Sequence, residues 1–147
     1  MPMSARELFA RLIQCEAGGE GENGMKAVAN VIMDRVNVAY GQYLRTGQGD
    51  LRTVIEESGE FTCMMSTVYG EVNPQTVWAM TPEQIHYDIA DWATAGNKLS
   101  GVDDCLWYMN PFSPTCPPYF PYTETGTIFN RIGEHCFYQP TALYAQT

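Results

Sequence analysis

The stretch LIQCEAGGE, residues 12–20, places a carboxylate, Glu16, directly after a helix-like apolar run and a second one, Glu20, after two glycines. At 100° per residue Glu16 falls near the centre of the stripe formed by Leu8, Phe9, Leu12 and Ile13, so it points toward the core side. A carboxylate there either pairs with a cation, accepts several hydrogen bonds, or keeps its proton. Desolvation raises its pKa, and the C-terminal end of a helix dipole disfavours its charge. A carboxyl protonated near neutral pH suits general acid catalysis of glycosidic cleavage. The structural alternative is a Glu paired with Arg131 or Lys26. Glu20 is either the second carboxylate of a two-acid glycosidase or a residue that caps the next helix or holds the turn; the glycines leave its distance from Glu16 undefined. A second constellation pairs Cys63 as nucleophile with His135 as base, the arrangement of a papain-like peptidase or an amidase. A non-catalytic binding protein is a third possibility, in which Glu16 only occupies space.

The elements that must position these groups are legible in outline. Ser4 and Glu7 form a capping box that opens a helix to about Ala17, with Glu7 and Arg11 paired on its outer face. A second helix spans about Glu22 to Ala39, with Met25, Val28, Ala29, Ile32 and Val36 inward. Its polar stripe, Lys26, Asn30, Asp34 and Asn37, is expected to be a solvated or loop-contacting face. Residues 40–50 read as loop, Asp50 caps a short helix through Ile55, and residues 58–80 read as irregular. Thr81-Pro-Glu-Gln is a helix start, predicting a third long helix to about Ala95 in which His86 is structural. Leu106–Asn110 and His135–Tyr138 read as strands that pair, separated by an aromatic, proline-rich loop at 111–125. The sum is a single α+β domain over residues 1–147, helix dominant, with a small antiparallel sheet.

Composition narrows the function. The chain has 147 residues, 17 acidic against 8 basic, for a net charge of −9. No basic stripe is available for phosphates, which excludes nucleic acid as a partner and argues against an anionic membrane surface. No apolar run is long enough to span a bilayer, and the N-terminus MPMSARELFARL lacks the features of a signal peptide, so the expectation is a chain that is cytoplasmic as synthesised. Five cysteines leave three arrangements open: free thiols, a Cys105–Cys116 disulfide, or a Cys/His metal site using Cys116, His135 and Cys136. No cofactor is expected; the acidity leaves calcium open, but Asp103-Asp104 alone is not a calcium loop.

CEAGGEGENGMKAVANVIMDRV resembles the opening motif of the spore cortex-lytic enzymes, the SleB/CwlJ cell wall hydrolase family: a helix ending in Glu-Ala-x-Gly-Glu, then a Val/Ala-rich helix ending in Arg-Val. The resemblance continues in family order through VIEESGEFTC, LWYMNP and RIGEHCFY, covering about residues 5–138. It implies a lysozyme-like domain that cleaves peptidoglycan glycan strands, with Glu16 as the single general acid/base. It also implies lytic transglycosylase chemistry, in which a sugar hydroxyl captures the oxocarbenium-like centre and Glu20 need not be a nucleophile. By its motifs, Glu20, Phe61, Thr62, Tyr108, Asn110, Arg131 and His135 are substrate-binding candidates. Asn110 would hydrogen-bond an N-acetyl group and Arg131 would orient a carboxylate or a loop. No separate peptidoglycan-binding module is present, which places the chain nearer the CwlJ type. The resemblance further implies the spore coat and cortex as location and a spore coat protein as a partner. The 111–125 loop, with Phe112, Tyr119, Phe120 and Tyr122, either stacks on sugars or packs as a rigid lid.

Overall fold

The computed structural model describes residues 3–147; Met1 and Pro2, the start of the N-terminal segment read above as leaderless, lie outside them. Helices α1 (Ala5–Ala17), α2 (Gly21–Asn37), α3 (Gly41–Gly47) and α4 (Leu51–Glu56) lead to a 3-10 turn at Thr62–Met64 and a two-stranded hairpin, β1 (Thr67–Val68) and β2 (Glu71–Val72). Helix α5 (Gln84–Thr94) follows, then the strands β3 (Trp107–Met109), β4 (Gly126–Ile132) and β5 (His135–Pro140). The last three form an antiparallel sheet in the order β3-β5-β4. The fold is α+β with helix dominant, as the sequence predicts.

Helix α1 starts where expected. Ser4 Oγ accepts the Glu7 N–H at 3.1 Å, but the Glu7 carboxylate turns to Arg11 Nε at 2.9 Å instead of completing the capping box. Leu8, Phe9, Leu12 and Ile13 are buried against α2 and α5. Helix α2 is the centre of the molecule. One side packs on α1 through Met25, Val28, Ala29 and Ile32, and the other packs under the sheet through Ala27 and Val31, which meet Phe137 and Cys105. Neither side is left for water. Asn30 and Asp34 therefore take the loop-contacting form of the stripe and are buried and internally satisfied. Asn30 Oδ1 accepts the Leu99 N–H at 2.7 Å, and its amide donates to Asp34 Oδ2 at 2.9 Å and Asp103 O at 3.0 Å. Burial pushes the Asp34 carboxyl up to about 7 against the pull of Lys98, 3.2 Å away.

Residues 41–47 are helical, not loop. Their composition is poor in helix formers, and the helix holds because Tyr43 is buried against Trp107 and Tyr144. Helix α5 starts at Gln84, with Glu83 rather than Thr81 as its cap; the Glu83 N–H donates to His86 Nδ1 at 2.9 Å. Strand β4 lies in a segment with no predicted strand and makes β5 the central strand. The β4–β5 turn needs Gly133, whose φ of +59° is left-handed and whose missing Cβ would sit 3.2 Å from Glu20 Oε1.

The cysteines pair as Cys15–Cys63 and Cys116–Cys136, leaving Cys105 free. This overturns the Cys105–Cys116 pairing: Cys105 faces α2 in the core, while the loop that carries Cys116 crosses β5. It also removes both thiols from the Cys116/His135/Cys136 metal arrangement and removes Cys63 as a free nucleophile. Burial pushes the Cys105 thiol up to about 12, so its thiolate is scarce at neutral pH. Iodoacetamide under native, non-reducing conditions is therefore expected to add nothing to the protein by intact mass, and one adduct after denaturation. Several adducts in the folded state would show that the pairing is wrong.

Among the described residues, no helix is long and apolar enough to cross a membrane.

Candidate functional site

The last turn of α1 delivers Glu16 to the floor of a cleft of about 410 Å³ between the helices and strand β3. The turn is fixed from behind by Leu12 and Ile13 and from the side by the Cys15–Cys63 bond, so the carboxyl has little freedom. Strand β3 brings Tyr108 across, and its hydroxyl donates to Glu16 Oε1. Burial holds the Glu16 carboxyl above the usual carboxylate range. The Tyr108 donor, the positive charge of Arg35 and the Cys63 N–H pull the other way without cancelling it. Burial and the Glu16 carboxylate push the Tyr108 phenol well above its ordinary value, so it remains a donor.

Phe61, Thr62, Tyr108, Asn110 and His135 line this cleft with Glu16. Their places differ. Phe61 is 2% exposed and packs below the Arg35 guanidinium, 5.3 Å from its ring centre, so its work is in the wall and not at the surface. Asn110 Oδ1 accepts the Phe112 N–H at 2.8 Å, which fixes the turn after β3. His135, at the start of β5, stands edge-on to the Tyr108 ring, 5.3 Å between centres. Burial lowers its pKa, so the imidazole is neutral at pH 7.

Glu20 and Arg131 are not on the cleft wall. Glu20 occupies the cap position of α2 but makes no side-chain cap bond. Its Oε1 accepts the Glu134 N–H at 3.0 Å, which ties the β4–β5 turn to the α1–α2 junction. The same oxygen is 3.2 Å from His135 Nδ1, outside hydrogen-bond geometry, and the two form an ion pair only when the imidazole is protonated. Arg131 donates through Nη1 to Ser113 O at 2.9 Å and through Nε to Gly133 O at 3.3 Å, and so orients a loop. Neither it nor Lys26, which pairs with Glu22, partners Glu16.

Arg35, Glu60 and Met109 also line the cleft and were not singled out from the sequence as site residues; Phe112, one of the loop aromatics that were, lines it too. Arg35 is 4% exposed. Its Nε donates to Leu106 O at 2.7 Å, its guanidinium lies between the Tyr43 and Phe61 rings, and Nη1 is 3.6 Å from Glu60 Oε2 with no hydrogen-bond partner. The signal existed: Arg35 is three residues from Ile32 and seven from Val28, on the inward face of α2. A charge on an apolar face is the same signature that marks Glu16. Burial also raises the Glu60 carboxyl, with Arg35 opposing.

A second hollow of about 290 Å³ lies beside Asp34, Lys98 and Asp104. Lys98 bridges the two carboxylates there, so each already has a partner. Among the described residues, no group of three or more His, Cys, Asp or Glu side chains is placed to hold a metal ion.

The arrangement can therefore present a carboxyl that keeps its proton to higher pH than usual, steadied by a phenol, to a ligand in an open cleft with polar and aromatic walls. A family model described as Cell Wall Hydrolase matches residues 19–138, beginning three residues after Glu16. The cell wall hydrolase CwlJ of Bacillus subtilis (strain 168) is 28% identical over 136 residues, covering 92% of this chain and 85% of the relative. CwlJ of Halalkalibacterium halodurans is 25% identical with the same coverage. Among solved structures, the catalytic domain of the Bacillus cereus SleB protein superposes with a TM-score of 0.62 at 25% identity, over 92% of this chain and 89% of that one. The catalytic domain of the germination-specific lytic transglycosylase SleB from Bacillus anthracis superposes with a TM-score of 0.63, over 95% and 97% of the chains, and at 23% identity shares the fold.

Proposed function

The chain belongs to the Cell Wall Hydrolase family, and from that premise we propose that it cleaves the glycan strand of peptidoglycan with Glu16 as its one general acid/base. The observation that carries this is a carboxyl on the cleft floor that burial keeps protonated to higher pH than usual, in contact with a phenol donor. Glu16 gives its proton to the leaving glycosidic oxygen as the C1–O bond breaks. The resulting carboxylate takes the proton of a hydroxyl on the same sugar ring as that oxygen bonds to C1. Atoms balance without water, and the product carries an anhydro end. Tyr108 holds Glu16 in one orientation throughout, and neutral His135 supports the Tyr108 ring. The Bacillus anthracis SleB domain, which shares this fold, is a lytic transglycosylase, and that agrees with this route.

Glu60 in the same cleft supports a second reading: a hydrolase in which Glu60 activates water. Its pairing with Arg35 favours the first, because Arg35 would lose its counter-charge if Glu60 turned to substrate. Mass spectrometry of the released muropeptides decides between them. Ends lighter by one water support the sugar-hydroxyl route; reducing ends that vanish in Glu60→Gln support the second.

The Cys63/His135 peptidase reading does not hold, since Cys63 is bonded to Cys15. The motif resemblance extends the proposal to spore cortex as substrate and the spore coat as location; a coat protein partner has the same support. Comparing muropeptides released from cortex and from vegetative walls tests the first of these.

Glu20 carries no chemical step in this scheme. Glu20→Gln keeps an acceptor for the Glu134 N–H but makes that bond neutral, which is expected to cost about 1 kcal/mol and a few degrees of Tm. Turnover should stay near that of the parent. Activity lost as fully as in Glu16→Gln, with Tm unchanged, would instead make Glu20 a reacting carboxylate.

A further inference from the structure

Phe112 is 88% exposed, yet it lines the cleft that holds Glu16. Its φ of +51° is in the left-handed region, which a bulky side chain rarely adopts. Core packing cannot be what keeps this ring in place, because the ring is mostly in water. The backbone around it is nevertheless tied on both sides. Before it, Asn110 Oδ1 accepts the Phe112 N–H at 2.8 Å. After it, Arg131 Nη1 donates to Ser113 O at 2.9 Å, and Cys116 is bonded to Cys136 in β5. Tyr69 and Tyr122 are still more exposed, but neither lines the cleft. Phe112 thus differs from the other exposed aromatics in combining a cleft wall, an unfavourable backbone and a braced loop. Unfavourable backbone conformations persist where the surroundings enforce them, and they cluster at binding sites.

On the reading of this cleft as a glycan site, we propose that Phe112 is a stacking platform for a pyranose ring at the cleft mouth and that Arg131 is the positioning residue that braces it. A sugar ring presents a face of C–H groups that an aromatic face covers well, while its hydroxyl and amide edges remain free for Thr62 and Asn110. The ring is presented in advance, so little ordering is left to occur on binding.

The test measures binding in the Glu16→Gln background, so that turnover does not intervene. The probe is a soluble peptidoglycan tetrasaccharide, titrated calorimetrically. Phe112→Ala is expected to weaken binding about tenfold, equivalent to about 1.4 kcal/mol. Phe112→Trp should recover most of the affinity. Phe112→Gly should bind as weakly as the alanine variant while its Tm stays at or above the parent's, because glycine accepts this φ without strain. Arg131→Ala should weaken binding with the ring still present. Unchanged affinity in Phe112→Ala overturns the proposal while leaving the glycan reading standing. Loss of affinity accompanied by a lower Tm in all three Phe112 variants also overturns it, since the role is then structural. If the Glu16→Gln protein itself fails to bind the tetrasaccharide, the glycan reading falls and the platform falls with it.

Discussion

Replacing Glu16 by Gln is expected to slow glycan cleavage by about two to four orders of magnitude and to leave the fold intact. Gln keeps an oxygen for the Tyr108 hydroxyl and the shape of the α1 terminus, but it has no proton to give at neutral pH. The pH dependence follows from the direction of the shift. Burial raises the Glu16 pKa above its ordinary value, so the protonated acid survives to higher pH than an exposed carboxyl would. Activity limited by the acid should fall as pH rises through that raised value. Stability has the matching sign. A carboxyl whose folded pKa exceeds its unfolded one destabilises the fold when ionised, fully above the folded value and not at all below the unfolded value. Glu16→Gln should therefore be at least as stable as the parent at pH 8, and its advantage should shrink on acidification toward pH 4. An inactive and more stable variant is what a group retained for chemistry predicts. Initial rates and thermal melts across that pH range check both halves. A rate near the parent's would remove Glu16 from the mechanism.

The direction of Glu16 was legible because it depends only on helix periodicity and four clear apolar neighbours. The cap at Ser4, the short helix after Asp50 and the pairing of the two segments around Tyr108 and His135 were legible for the same reason: each is set by local spacing. What was missed depends on partners far along the chain. For Asn30 and Asp34 the choice between water and a loop stayed open, because one helix wheel cannot show that α2 is covered on both sides. The α3 helix is stabilised by Tyr144, about a hundred residues later in sequence. Strand β4 needs β5 to exist. Whether Glu20 caps α2 or holds a turn stayed open, and the turn that takes its carboxylate comes from Glu134, far along the chain. The disulfides were out of reach, since five cysteines allow many pairings and only the fold brings Cys15 to Cys63.

Removing the Cys15–Cys63 bond, by Cys15→Ser with Cys63→Ser, is expected to lower both stability and turnover. The cysteines are 48 residues apart, and the chain-entropy relation gives about 4 kcal/mol for freeing a loop of that length, which corresponds to a Tm lower by about 10 °C in a chain of this size. The effect on turnover has a separate cause. Cys15 directly precedes Glu16, and the Cys63 N–H is one of the groups that steady the Glu16 carboxylate. Cys63 also lies in the same 3-10 turn as Thr62, so the bond joins the cleft floor to its wall. Without it, the turn can drift and the carboxyl loses a donor, at temperatures where the rest of the fold is intact. Cys116→Ser with Cys136→Ser is the control. That bond closes a shorter loop, 20 residues, and ties the aromatic loop to β5 away from Glu16. Its loss should cost about 3 kcal/mol and act mainly on substrate affinity through the loop. Rates measured well below both melting temperatures separate the cases: a lower kcat for the Cys15/Cys63 variant, a higher KM for the Cys116/Cys136 variant. If the first variant keeps its kcat and loses only Tm, the bond serves the fold alone and the Cys63 N–H has no part in holding the acid.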